Sequence, residues 1–483
     1  MFEALKKKQA GLSKQVKAST AYTICNILQN SVGIITLPLF TRLMTTDEMG
    51  ISTIYSSTMP LLIIFTSLQL AYGTFDTAMA KFDKDRDGYV SSVNGLCTLL
   101  TAVYFIIYLI GHKFWNSLLD LPTILMLVMG LEMLMTTSMN FWLGKNRFEY
   151  EYKKVVAVIL SQTFIATALG ILATVYGGNY RGVLKVLAYS FTAIGFGLVM
   201  YIHGIVKGKK FYNKEYWHYA LSFNLPLVPY YVSQMIFNQS DRLMINKMCG
   251  RGDAAIYGVA YTLAVILTII LNAINGSYTP WLYGKIKDRD FQDNKRVALA
   301  IGAVMAFLLL GMISVAPEII LIMAGKKYTS AMWVVPPVAM SIIFLFYTQL
   351  FSNIQFYFEE KYYLVAGSIL SALVNVVLNY IFIKKYGFVV AAYTTLFSFI
   401  IFAICNFICM RIVCKKHDVD WHIYDYRKLI IMALIFMALG FGLTLLYPYR
   451  PARFIVIGVV LVIFAIFFKK IMNIVKFYVG LFK

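Results

Sequence analysis

Ser222-Phe-Asn-Leu-Pro-Leu-Val-Pro-Tyr-Tyr-Val-Ser-Gln234 opens the stretch on which the reading of this chain turns. It continues through Asn238-Gln-Ser-Asp-Arg242-Leu-Met-Ile245, a Cys249-Gly-Arg-Gly-Asp253 turn and Ala255-Ile-Tyr-Gly-Val-Ala-Tyr261. One apolar helix, with Pro226 and Pro229 near its start, carries polar groups along one side and ends on an Asp-Arg pair. A second apolar helix follows the turn. Ordinary membrane spans do not spend side chains this way, because charged groups inside such a segment are expensive in lipid.

The surroundings of this stretch are overwhelmingly apolar. Of 483 residues, 60% are hydrophobic and only 14% charged, against about a quarter charged in soluble domains. That excess calls for lipid as solvent, where each helical span needs about 20 mostly apolar residues. Fourteen windows qualify: 18–40, 50–72, 89–111, 121–143, 155–176, 183–206, 219–240, 254–277, 297–318, 332–355, 362–383, 388–411, 429–447 and 452–468. The expected fold is an all-α polytopic membrane protein with about 14 transmembrane helices. Its loops are too short to hold a catalytic domain, so no enzyme is expected.

Lys6, Lys7, Lys8, Lys14 and Lys17 precede the first apolar segment, as in a signal peptide. That segment runs on to Phe40, beyond the length of a cleavable apolar region, and is read as a retained span. The six cysteines have no metal-ligand spacing with histidine and are read as small buried apolar groups. Neither a metal nor another cofactor is expected.

A net charge of +21 would suggest nucleic acid in a soluble protein. Its distribution follows topology instead. With fourteen spans, the N-terminal tail, the even-to-odd loops and the C-terminal tail hold 31 of the 44 Lys+Arg, and the opposite loops hold 13. Because positive residues are retained in the cytoplasm, both termini are expected there, with no nucleic-acid partner.

Thr41-Arg42-Leu43-Met44 ends the first span and Asp241-Arg242-Leu243-Met244 the seventh, 200 residues and six spans later. Each is followed by a glycine and a span opening with a tyrosine: Gly50 with Tyr55, Gly252 with Tyr257. Parallel repeats of this kind build transporters that hold substrate between two halves. The expected organisation is a cytoplasmic tail (1–17), a six-helix bundle (18–206), a cytoplasmic linker (207–218) and a second six-helix bundle (219–411). A cytoplasmic loop (412–428) and helices 13–14 with a cytoplasmic tail (429–483) complete it.

Intramembrane polar groups supply the candidate site. Asn26, Gln29 and Asn30 share a face of the first span, as do Tyr231, Gln234, Asn238 and Asp241 or Arg242 on the seventh. Asn272 and Asn275, Gln349 and Asn353, and Asn375 and Asn379 repeat the three-or-four spacing on spans eight, ten and eleven. Any one pair is adequately explained by bonding between helices. Across five spans, a polar cavity is the more economical reading.

Charges at a span centre cost about 2.5–3.5 kcal/mol each. Glu132 lies mid-span and needs a cation, a proton or water. Lys185, just after Arg181, is its natural counterion. Arg42, Asp241, Arg242 and Glu318 mark span ends, where interface anchoring is the plainer alternative. The last two spans carry neither amide nor charge over Leu429–Leu446 and Ile455–Phe468. Lipid tails, a lipid-like substrate or another subunit would suit them.

Asn224-Leu-Pro226, Ser240-Asp-Arg-Leu243, Ala255-Ile-Tyr-Gly-Val-Ala-Tyr261, Leu37-Pro-Leu-Phe-Thr-Arg-Leu43 and Asp47-Glu-Met-Gly50 together resemble the bacterial polysaccharide-repeat flippases. These belong to the multidrug, oligosaccharidyl-lipid and polysaccharide (MOP) exporter superfamily. The resemblance implies an inner-membrane protein that moves a polyprenyl-pyrophosphate-linked oligosaccharide to the outer leaflet by alternating access. It implies a cationic cavity, and in fourteen-span members a groove for the lipid tail formed by the last two helices. Bilayer lipids, a polysaccharide polymerase and glycosyltransferases would be the partners.

The first span here bears amides where that family's cavity would be basic. The anion site then falls to Arg42, Lys185, Arg242 or loop residues, with Asp241, Asn30, Gln234, Asn238 and Asn275 as further substrate-binding candidates. Glu132 is the candidate for coupling to sodium or protons. Two other functions stay open: a drug/cation antiporter of the same superfamily, which would use Glu132, and a membrane polymerase or glycosyltransferase. Asp47-Glu48 is the only adjacent carboxylate pair in the predicted outer loops, which argues against the enzyme.

Overall fold

The computed structural model describes residues 14–72, 74–456 and 458. Among these the regular structure is helical throughout. In chain order the helices are α1 (Lys14–Leu43), α2 (Thr46–Ser67), α3 (Phe75–Lys81), α4 (Arg86–Ile110), α5 (His112–Leu119), α6 (Thr123–Phe148), α7 (Tyr152–Tyr176) and α8 (Arg181–Gly208). They continue as α9 (Lys214–Asn224), α10 (Val228–Met248), α11 (Arg251–Asp288), α12 (Gln292–Met323), α13 (Val335–Tyr357), α14 (Lys361–Tyr386), α15 (Val390–Lys416) and α16 (Tyr426–Leu445). Twelve helical stretches among the described residues are long and apolar enough to cross a membrane. Most of the fourteenth window, 452–468, lies outside the described residues.

The seventh window departs from expectation. Its apolar pattern predicts one helix over 219–240, but the chain forms α9, a short 3-10 turn at Leu225–Leu227, and then α10. Pro226 and Pro229 are the cause. Proline lacks an N–H and clashes with the preceding helical turn, whereas in a first turn its missing donor is not needed. Both prolines occupy such starting positions. With its amides and charges, α10 is too polar to count among the twelve.

By packing, the chain forms two units, Met1–Ala255 and Ile256–Lys483. The sequence places the second bundle from 219; the packing assigns α10 to the first unit, where it lies along α2. In that unit α8 packs on α6, α7 and α4, and α1 lies along α7. A charged lattice knits one end of the bundle. Asp87 holds Lys145 and Lys207, Glu149 approaches Arg86, and Asp85 holds Lys210 while accepting a 2.7 Å bond from Tyr216.

In the second unit α13 packs on α15, with α12 and α14 beside them and α16 across α12. The segment before α16 and the first turn of α16 are pinned by buried bonds. Asn294 donates to the Ile423 carbonyl at 2.9 Å, Tyr424 to Leu350 at 2.9 Å, and Tyr347 to Leu429 at 2.8 Å. Beyond α16, Tyr447 donates to the Ile313 carbonyl at 2.7 Å and the fully buried Arg453 pairs with Glu318. Glu318 therefore has a partner inside the protein, not only an interface to anchor.

Candidate functional site

The corner between α1 and α2 is fixed locally by a capping box. The Glu48 backbone N–H donates to Thr45 Oγ1 at 3.2 Å, and the Thr45 N–H donates to the Glu48 carboxylate at 2.8 Å. Such reciprocal bonds satisfy donors that a helix start leaves open. The start of α8 is laid against this corner. A Cβ on Gly182 would come 2.5 Å from the Glu48 carbonyl oxygen, so only glycine permits the approach. Arg181 donates to the Leu43 carbonyl at 2.9 Å, and its Nε is buried with no hydrogen-bond partner.

Lys185 follows one turn later. It is 8% exposed. Its ammonium lies 4.0 Å from the centre of the Phe40 ring and 3.6 Å from the Met49 sulfur. A ring face and a thioether stabilise a cation without neutralising it. Glu48, at the same corner, is engaged in the capping box. Lys185 forms no ion pair among the described residues, and Arg42 is exposed on the same corner.

Glu132 does not meet Lys185. The pairing that their positions suggested is absent among the ion pairs of the described residues. The Glu132 carboxylate, 9% exposed, accepts instead from the Tyr55 hydroxyl at 2.6 Å, which accepts from Ser190 Oγ at 3.1 Å. The reason is axial distance. Met49 and Tyr55 are six residues apart on α2, which is about 9 Å of rise. Lys185 stands at the level of one and Glu132 at the level of the other. A buried cation and a buried acid therefore occupy the same α2–α8 seam at different depths.

The remaining candidates fall into three groups. In α10, Asp241 is buried, Arg242 is half-buried and donates to Gln239 Oε1 at 2.6 Å, and the exposed Asn238 donates to the Gln234 carbonyl at 2.7 Å. In α1, Asn30 is exposed and its amide donates to the Asn26 carbonyl at 2.7 Å. In the second unit the amides bond between helices. Gln349 reaches Asn272 and Asn353 reaches Asn275, each at 2.9 Å. Asn375 and Asn379, fully buried, bond Thr395 and Thr394. That last pair joins α14 to α15, the bonding between helices that any one such pair allows.

The site residues that sequence reasoning missed are Tyr55, Ser190, Phe40 and Met49. Tyr55 had left a trace, since it stands in register with Tyr257 in the repeat. The others are apolar or small, and nothing in their type distinguishes them. A further feature belongs to the second unit: α12 and α16 enclose an apolar groove of about 400 Å³, walled by Phe307, Leu310, Ile435 and Leu439, with Lys428 at one end.

A sequence profile described as polysaccharide biosynthesis protein matches residues 16–283, more than half of the chain. The chain belongs to this family. A membrane protein of Haemophilus influenzae with no assigned function is 23% identical over 277 residues, 56% of this chain and 66% of the relative. A protein of the Lsg locus of the same organism is 21% identical over 379 residues, 75% of this chain and 90% of the relative.

Among solved structures, the lipid II flippase MurJ in an inward closed conformation superposes with a TM-score of 0.66 at 14% identity. The match covers 95% of this chain and all of that one. An inward-facing multidrug resistance MATE transporter of the MOP superfamily gives 0.58 at 12% identity, over 82% of this chain and 96% of that one. The family member described here thus has the MOP-type fold of a multi-pass membrane protein.

Proposed function

We propose that this protein is a flippase that moves a polyprenyl-pyrophosphate-linked oligosaccharide repeat unit from the inner to the outer leaflet of the bacterial cytoplasmic membrane. It does so by alternating access, with both termini cytoplasmic, and serves cell-surface polysaccharide synthesis alongside glycosyltransferases and a polymerase. The observation that carries the reading is Lys185, a buried ammonium held by a ring and a sulfur instead of a carboxylate. A charge kept in this way is available to a pyrophosphate. Arg42, Arg242, Asp241, Asn30, Gln234 and Asn238 are the accompanying candidates in the first unit, and Asn275 in the second.

The groove between α12 and α16 supports a lipid-borne substrate, because an apolar trough beside a lysine suits a chain attached to an anionic head. An inside-negative membrane would favour the outward step. Two negative charges crossing 100 mV gain roughly 5 kcal/mol. The test is a leaflet-access assay on the reconstituted chain with a lipid-linked oligosaccharide. Losing a charge-assisted contact worth about 1.5–3 kcal/mol should slow Lys185→Ala and Arg242→Ala about 10- to 100-fold. Parental rates in both would defeat the site assignment.

One observation favours a second reading. Glu132 is a buried acid with no ion pair among the described residues, as a drug/cation antiporter with proton or sodium coupling would require. Efflux of a fluorescent cation from vesicles that collapses on Glu132→Gln, without flipping of the lipid-linked sugar, would select that reading.

A further inference from the structure

At the end of the first unit opposite the Lys185 corner, α1 and α7 leave a cavity of about 570 Å³ between them. Its walls are apolar, with Ile24 and Leu28 from α1 facing Val156 and Leu160 from α7. Its mouth is basic, lined by Lys17 and Lys153. The local acid, Glu151, is already shared by two other lysines, Lys14 at 3.6 Å and Lys154 at 3.4 Å. Lys17 and Lys153 have no ion pair among the described residues, so the mouth keeps a net positive charge. Apolar walls below and ammonium groups above match the two ends of a charged lipid.

Length selects among such lipids. From Lys17 to Leu28 the groove follows eleven residues of helix, about 17 Å of rise. That is about half of a hydrocarbon core some 30 Å thick. The trough therefore has the depth of one leaflet and suits an ordinary acyl chain, whereas a long polyprenyl chain would overrun it.

We propose that the α1–α7 groove binds an acidic phospholipid of the surrounding bilayer, its phosphate between Lys17 and Lys153 and one acyl chain along Ile24, Leu28, Val156 and Leu160. This site lies apart from Lys185 and Glu132 and does not depend on what the protein transports.

The full-length chain is reconstituted in phosphatidylcholine bilayers doped with phosphatidylglycerol, and the phosphatidylglycerol it retains on transfer to micelles is titrated by native mass spectrometry. Each lysine near the lipid surface contributes about fivefold in affinity, so Lys17→Gln with Lys153→Gln should weaken retention about thirtyfold. Lys153→Gln alone, a change at an exposed side chain that leaves packing intact, should weaken it about fivefold. Lys326→Gln with Lys327→Gln removes equal charge elsewhere and should leave retention unchanged. Equal retention of phosphatidylcholine and phosphatidylglycerol overturns the proposal. So does parental affinity in Lys153→Gln, or preferential retention of a polyprenyl phosphate at this groove.

Discussion

Removing the Tyr55 hydroxyl should expose how much the Glu132 site holds the first unit together. Tyr55→Phe deletes one atom and keeps the ring that packs between α2, α6 and α8. The deleted oxygen donates to Glu132 at 2.6 Å and accepts from Ser190 at 3.1 Å, and all three side chains are buried. Cross-helix bonds in membranes average about 0.6 kcal/mol and reach about 1.7 kcal/mol. Two such bonds lost together give an expected destabilisation of about 1–3 kcal/mol.

The assay is reversible unfolding of the purified chain in mixed micelles with increasing SDS, followed by tryptophan fluorescence. Glu132→Gln keeps an acceptor oxygen for Tyr55 and should cost less than Tyr55→Phe. Tyr55→Phe combined with Ser190→Ala should cost less than the two single changes added, because each removes the other's partner. A coupling above about 0.5 kcal/mol marks real contact, since independent sites add within about 0.3–0.5 kcal/mol. Strict additivity, with Tyr55→Phe unfolding like the parent, would refute the hydrogen-bonded chain as a structural element.

Three further outcomes follow from particular contacts. Gly50→Ala places a methyl group 2.4 Å from the Arg251 carbonyl oxygen; this overpacking should destabilise by about 1–3 kcal/mol, read in the same SDS titration. Arg453→Met should unfold the end of the second unit early, measured as faster protease nicking after α16, because it strands Glu318 and removes a fully buried guanidinium; if the nicking rate is unchanged, that pair does not anchor the segment. Glu360, between α13 and α14, is held below the usual carboxylate range by the bond from Lys416 at 2.6 Å and that from His417 at 3.0 Å. A depressed carboxylate lends stability above its unfolded pKa, about 4.3, and loses it as pH falls through the folded value. The stability gap between the parent and Glu360→Gln should therefore shrink on acidification below about pH 4, and a gap constant with pH would contradict the assignment.

The spans were legible because a membrane helix announces itself by composition alone, and twelve helices appear where apolar windows stood. Residues that define a site through contact were not. Glu132 could be singled out, because a carboxylate mid-span is rare whatever surrounds it. Tyr55 and Ser190 could not, because a tyrosine or serine in a span is ordinary until its partner is known. The Glu132–Lys185 pairing failed for a related reason. Opposite charges on neighbouring spans suggest a meeting, but sequence does not give their relative height, and here about a turn and a half of α2 separates them. The amides of spans eight, ten and eleven show the same limit. Spacing places Asn375 and Asn379 on one face, but not which helix that face meets, and here it bonds α15.

The stretch from Ser222 to Tyr261 now has a physical logic that the repeat alone did not supply. Its prolines divide the polar span, so α10 starts afresh at Val228 and lies along α2 in the first unit. The turn that follows is held by Arg251. Its guanidinium grips Asp120 through two bonds, at 2.6 and 2.7 Å, and its backbone abuts Gly50. Asp120 caps α5 three residues before α6, the helix of Glu132, and Gly50 lies on α2 five residues before Tyr55. The same contacts therefore also bear on α6, which carries the buried acid, and on α2, which carries Met49 and Tyr55, the partners of the buried cation and the buried acid. On α2, Met49, at the level of Lys185, lies next to Gly50, and Tyr55, at the level of Glu132, lies five residues beyond it.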